Sequence, residues 1–133
     1  MTLGNLGVLV ARGGALEAGR ASLRDALALF AESDDAPGQM GMCLNLGHLA
    51  FDAGEHEQAR ELLEKCRKMA ERQHQVRCVG WTMLTLAELA ICDGALERAC
   101  ALLNSALERL DGLGDRWGVT RALELRETAL RAR

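Results

Sequence analysis

The sequence predicts an all-α fold: a stack of antiparallel helix pairs, an α-solenoid of about three repeats closed by a C-terminal capping helix. Three observations predict it. The composition favours helix formers, with a single proline, Pro37, in 133 residues. Aromatic residues are 3% of the chain and tyrosine is absent, so the core is built from Leu, Ala, Val and Met. Most telling, the sequence repeats itself at a constant offset, the interval from Gly14 to Gly54 and again to Gly94, which is the mark of a stacked architecture.

The repeat rests on several independent columns. Gly14, Gly54 and Gly94 align, as do Glu17, Glu57 and Glu97. Leu6, Leu46 and Leu86 form a column, followed by Leu9, Leu49 and Leu89, and later by Leu23, Leu63 and Leu103. Small residues recur at Gly19, Ala59 and Ala99, and at Ala26, Cys66 and Ala106. The copies fall at about 1–36, 37–76 and 77–116, with the capping helix at 117–133.

Each copy reads as two helices. Met42, Leu46, Leu49 and Ala50, and then Met83, Leu86, Leu89 and Ala90, have the spacing of one helical face. That helix stops at Asp52-Ala53-Gly54 or Asp93-Gly94, where glycine adopts the positive φ of a helix end without a Cβ clash. Glu57 or Glu97 opens the second helix, where the helix dipole favours a negative charge. Ala59, Leu62, Leu63 and Cys66 form its buried stripe, matched by Ala99, Leu102, Leu103 and Ala106. Polar loops follow at Ser33-Asp34-Asp35-Ala36-Pro37-Gly38 and at Gly112-Leu113-Gly114-Asp115-Arg116. Turns this short force each pair antiparallel. The small residues Gly7, Gly47 and Ala87 are expected to face Gly19, Ala59 and Ala99 and let the pair approach closely. The last helix carries Val119, Ala122, Leu125, Ala129 and Leu130 on one side, as a cap needs, and Trp117 is expected to anchor it to the stack. The first copy begins in mid-helix at Met1, which favours a piece of a longer protein over a small protein with a shortened first helix.

Much chemistry is excluded. A net charge of -3 is wrong for binding a phosphate backbone. The basic run Lys65, Arg67, Lys68, Arg72 and Arg77 is interleaved with Glu61, Glu64 and Glu71 and reads as a solvated helix face. No apolar run reaches the roughly 18 residues of a membrane span, and no secretory leader is evident. The five cysteines are odd in number and none forms a CxxC pair, so they read as reduced, small core residues in a cytoplasm. His48, His56 and His74 are too scattered for a zinc motif. No phosphate loop or nucleophile elbow occurs, so no catalytic residue, metal or cofactor is assigned.

These residues resemble the tetratricopeptide repeat. The second copy supplies Cys43, Leu46-Gly47, Ala50, Gly54, Ala59, Leu63 and Cys66. The third supplies Met83, Leu86-Ala87, Ala90, Gly94, Ala99, Leu103 and Ala106, and the first Leu6-Gly7, Val10, Gly14, Gly19, Leu23 and Ala26. The motif's terminal proline is replaced by Ala31, Glu71 and Asp111. The interval from Gly14 to Gly54 exceeds the usual repeat of about 34 residues. This longer form is similar to the helical repeat region of large bacterial transcriptional regulators with an ATPase core, of the LuxR and antibiotic-regulator kinds. The stretch GALERACALLNSALERLDGLGDRWGVTRAL carries that likeness.

The resemblance implies that the pairs stack as a right-handed superhelix, a module that binds protein or peptide along a concave face lined by the first helix of each pair. Carried over by repeat position, that face comprises Val8, Leu44, His48, Phe51, Trp81, Leu84, Glu88 and Ile91, with Arg12, Asp52, Arg121 and Glu124 at its edges. Leu44, Leu84 and His48 stand where the family's carboxylate clamp has Lys and Asn, which argues against an acidic C-terminal tail as the ligand. An amphipathic helix, an apolar segment or a second copy of the chain suits so apolar a face better. A small apolar effector is the alternative occupant.

Overall fold

The structure is a computed structural model that describes residues 14–32 and 36–132. It contains six helices among the described residues: α1 (Gly14–Glu32), α2 (Ala36–Asp52), α3 (His56–Arg72), α4 (Val76–Cys92), α5 (Leu96–Gly112) and α6 (Arg116–Arg131). No strand occurs among them. The first helix of the first copy, with Leu6, Gly7, Val8, Leu9 and Arg12, lies outside the described residues, as do Ser33, Asp34 and Asp35.

The two-helix repeat contains a shorter one. Helices begin at Ala36, His56, Val76, Leu96 and Arg116, in equal steps along the chain. Each of α2 to α5 is 17 residues long, leaving three residues for each turn. The four turns are the same object. The third helix residue from the end accepts from the last residue of the turn: Glu55 N–H to Ala50, Gln75 to Ala70, Ala95 to Ala90 and Asp115 to Leu110, all at 2.8–3.0 Å. A tighter bond lies inside each, such as Gly54 N–H to Phe51 C=O at 2.9 Å. This is the Schellman closure, and it needs one residue of left-handed backbone. Gly54, Gly94 and Gly114 provide it at φ 79°, 77° and 70°. The fourth turn places His74 there at φ 55°, so the turn between repeats was not legible from glycine alone.

The described residues form two compact units that divide between Met69 and Ala70. In the first, α1 packs on α2, and α2 on α3. Cys43, Leu46, Leu49, Ala59, Leu63 and Cys66 are buried in it. In the second, α5 packs against both α4 and α6, and α4 also meets α6. Leu86, Leu89, Ala99, Leu103, Ala106, Leu110, Ala122 and Ala129 are buried there. The aligned Leu, Ala and Cys columns of the second and third copies are therefore core columns of the fold.

Three points differ from expectation. Pro37 and Gly38, expected in a loop, lie in the first turn of α2, where a proline's missing N–H has no helical partner to lose. The nearest neighbour of Gly47 is a large residue: a Cβ on it would stand 2.8 Å from Leu63 Cδ2. The close approach is a leucine seated over a glycine. Leu110 does this twice, for a Cβ on Gly80 would lie 2.8 Å from its Cδ2 and one on Gly118 2.7 Å from its Cδ1. One fully buried side chain on α5 thus fits hollows on both α4 and α6. Of the cysteines, Cys43 and Cys66 are core, and burial pushes the Cys43 thiol up despite the nearby Lys65. Cys92 is exposed instead.

Leu110→Ala should cost about 2–5 kcal/mol by opening a cavity between three helices. Gly118→Ala should cost about 1–3 kcal/mol by overfilling the same place. Urea unfolding followed by circular dichroism measures both, and a loss below about 1 kcal/mol for Leu110→Ala contradicts the lock. At the turns, Gly94→Ala should lose about 1–2 kcal/mol to left-handed strain, whereas His74→Gly should not destabilise.

Candidate functional site

The structure sorts the expected concave-face residues by unit. Val8 lies outside the described residues. In the first unit, α2 presents His48 exposed and Leu44 and Phe51 half-buried. The Phe51 ring stands edge-on to His56 at the start of α3, with centroids 5.6 Å apart and an interplanar angle of 84°.

In the second unit, Trp81, Glu88 and Ile91 are half-buried on α4, but Leu84 is only 2% exposed. Leu84 is thus a core residue and offers no surface to a ligand. Thr82 and Thr85 beside it are also buried, and their hydroxyls donate to the Cys78 and Trp81 carbonyls one turn back.

Trp81 and Glu88, two helical turns apart, share one face of α4, and each is tied to α6. Arg121 Nη2 donates to Glu88 Oε1 at 2.8 Å, while Arg121 Nη1 reaches Glu124 Oε2 at 3.4 Å. The Glu88 bond leads in raising the Arg121 guanidinium above its usual range. At the other end, Trp81 Nε1 donates to Asp115 Oδ2 at 2.9 Å. The same carboxylate caps α6, for Gly118 N–H donates to Asp115 Oδ1 at 3.1 Å. Arg77 Nε lies 3.4 Å from Oδ2. The capping positions of α4 and α5, Gln75 and Ala95, make no such side-chain bond.

Asp115 was missed as a site residue because it reads as one polar residue in a loop. An aspartate directly before a helical pattern is the signal that could have found it. Around it lies a shallow, widely open hollow lined by Arg77, Trp81, Gly114, Asp115, Arg116 and Trp117. Trp117 does not anchor α6: it is 84% exposed. The buried face of α6 is Gly118, Ala122, Leu125 and Ala129, and Trp117 stands one residue, about 100°, round the helix from it.

The basic run behaves as a solvated face, with Arg67 paired to Glu64 on α3. Among the described residues, no three of His, Cys, Asp and Glu are placed to hold a metal ion. No helix among them is long and apolar enough to cross a membrane.

The Asp115 carboxyl sits below the ordinary range, held first by the Gly118 N–H and then by the Trp81 indole, with Arg77 adding to them. A carboxyl depressed in the folded state contributes stability above its unfolded value, near 3.9, and loses it as pH falls towards the folded value. The stability gap between the natural chain and Asp115→Asn should therefore be constant near neutrality and shrink below about pH 4. Urea midpoints measured against pH check this, and a gap that stays constant into acid contradicts it.

A family model described as tetratricopeptide repeat matches residues 39–112, which is more than half of the chain. No match was found among curated proteins. The matched span covers the helix pairs α2–α3 and α4–α5, whose turns and buried columns repeat from one pair to the next. The chain belongs to the tetratricopeptide repeat family.

Proposed function

We propose that the chain is a non-enzymatic scaffold that binds a protein or peptide through the faces of α2 and of α4 with α6. Tetratricopeptide repeats in general mediate protein–protein interaction, and family membership supports the same role here. The observation that carries the reading is the state of the α4–α6 face. Its polar groups are tied to one another as Trp81–Asp115 and Glu88–Arg121, while Ile91 and Trp117 remain accessible beside them. A rigid face with accessible apolar side chains suits a preorganised docking surface. Phe51 and Ile91 occupy equivalent repeat positions, so both units offer a large apolar side chain at the same place.

The long form of the repeat supports a finer setting, the helical repeat region of a bacterial transcriptional regulator in the cytoplasm. A ligand sensor built on an apolar groove is less well supported, because Leu84 is spent in packing.

The test compares proteins retained by the immobilised chain with those retained by a Phe51→Glu, Ile91→Glu variant of unchanged circular dichroism. Partners held by the first and lost by the second are expected. The same set on both contradicts the reading.

A further inference from the structure

The hollow at the start of α6 says more about the partner than the face as a whole. It contains two arginines and one carboxylate. That carboxylate is already engaged by the Gly118 N–H, the Trp81 indole and Arg77. The Arg77 contact is long, at 3.4 Å, and the Arg77 side chain is 66% exposed. Arg116 is exposed, and its side chain makes no hydrogen bond or ion pair among the described residues. The hollow therefore keeps an excess of positive charge although the chain as a whole carries -3. Trp117, exposed on the same rim, adds a broad apolar surface that nothing in the second unit covers.

An exposed tryptophan is a common anchor for binding energy at protein interfaces, and arginine is the other. Arginine's planar fork binds carboxylates in pairs of hydrogen bonds. We propose that the hollow takes a segment of a partner protein in which an acidic side chain stands beside a large apolar one. The acidic group meets Arg116 and the outer edge of Arg77, and the apolar group lies on Trp117. This rests on the scaffold reading above and names the partner's chemistry. It differs from the tail recognition that the missing carboxylate clamp argues against, because the acid is met at the α6 end and not at Leu44, His48 or Leu84. The net acidity of the chain disfavours a nucleic acid as occupant.

The test selects a displayed library of short random peptides on the full chain. A selected, fluorescein-labelled peptide is then titrated by fluorescence polarisation against Arg116→Gln and Trp117→Ala. Both residues are exposed, and both substitutions leave the Asp115 bonds in place, so the fold should be retained, as circular dichroism will verify. Selected peptides should pair Asp or Glu with an aromatic or aliphatic residue. Each substitution should weaken Kd by about tenfold or more, and so should Gln for Glu, or Asn for Asp, in the peptide. Added salt should weaken binding as well. Peptides without an acid, or Kd values untouched by both substitutions, overturn the proposal. Binding lost in the Phe51→Glu, Ile91→Glu variant yet unchanged in these two overturns it while leaving the scaffold reading intact. A library that yields no binder overturns both. Tighter binding of a short single-stranded oligonucleotide than of any selected peptide overturns the acidic-segment occupant.

Discussion

The second unit is organised around the carboxylate of Asp115. That residue closes the last turn through its backbone, caps α6 through Gly118 and accepts a hydrogen bond from the indole N–H of Trp81 on α4. One residue thus sets where α5 ends, where α6 begins and how α6 lies against α4. Charge-assisted bonds of this kind are directional, and the two donors at 2.9 and 3.1 Å, with Arg77 farther off at 3.4 Å, restrict the rotation of the carboxylate. The candidate site inherits its geometry from that arrangement, since Trp81, Arg77 and Trp117 all lie around the same hollow.

Asp115 can do this because the chain delivers it there by counting. Helices of equal length and turns of equal length follow one another from α2 to α5, with one left-handed residue in each turn. One such step reverses the direction of the chain, and two restore it, so positions 81 and 121 or 77 and 117 are equivalent points on α4 and α6. Packing then reinforces the count. With so few aromatic residues, helices close by setting leucines over glycines, as Leu63 over Gly47 and Leu110 over Gly80 and Gly118. The tetratricopeptide repeat match at residues 39–112 takes in Leu63 over Gly47 and Leu110 over Gly80.

The fold was legible in the sequence because each core column is a physical necessity repeated in several copies. A Leu or Ala that recurs at the same place in every copy, as Leu46 and Leu86 do, stands out however weak each instance is. Single-copy features were less legible. His74 takes a backbone shape usually marked by glycine, so the one-helix step was hidden within the two-helix repeat. Leu84 reads like its neighbours on the inner face, yet it is buried, and Trp117 reads as an anchor although it is exposed. A shift of about 100° per residue round a helix decides such cases, and for Trp117, in a helix's first turn, periodicity alone does not fix it. Asp115 was hardest to see, since its partners lie three residues away in α6 and 34 residues away in α4. Of the second unit's expected face, Glu88, Arg121 and Glu124 are joined to one another by bonds, while Trp81 is bonded to Asp115.

The chain has two tryptophans, so its proton–nitrogen NMR spectrum has two indole N–H signals, and these test the Asp115 junction directly. One signal, from Trp81, should exchange slowly with solvent and shift with a carboxyl that titrates below the ordinary aspartate range, because its proton is held by Asp115. The other, from Trp117, should exchange rapidly and show no comparable titration, as its exposure requires. Trp117→Phe assigns the two. Two indoles that exchange equally fast, with neither reporting a low carboxyl titration, would contradict the account.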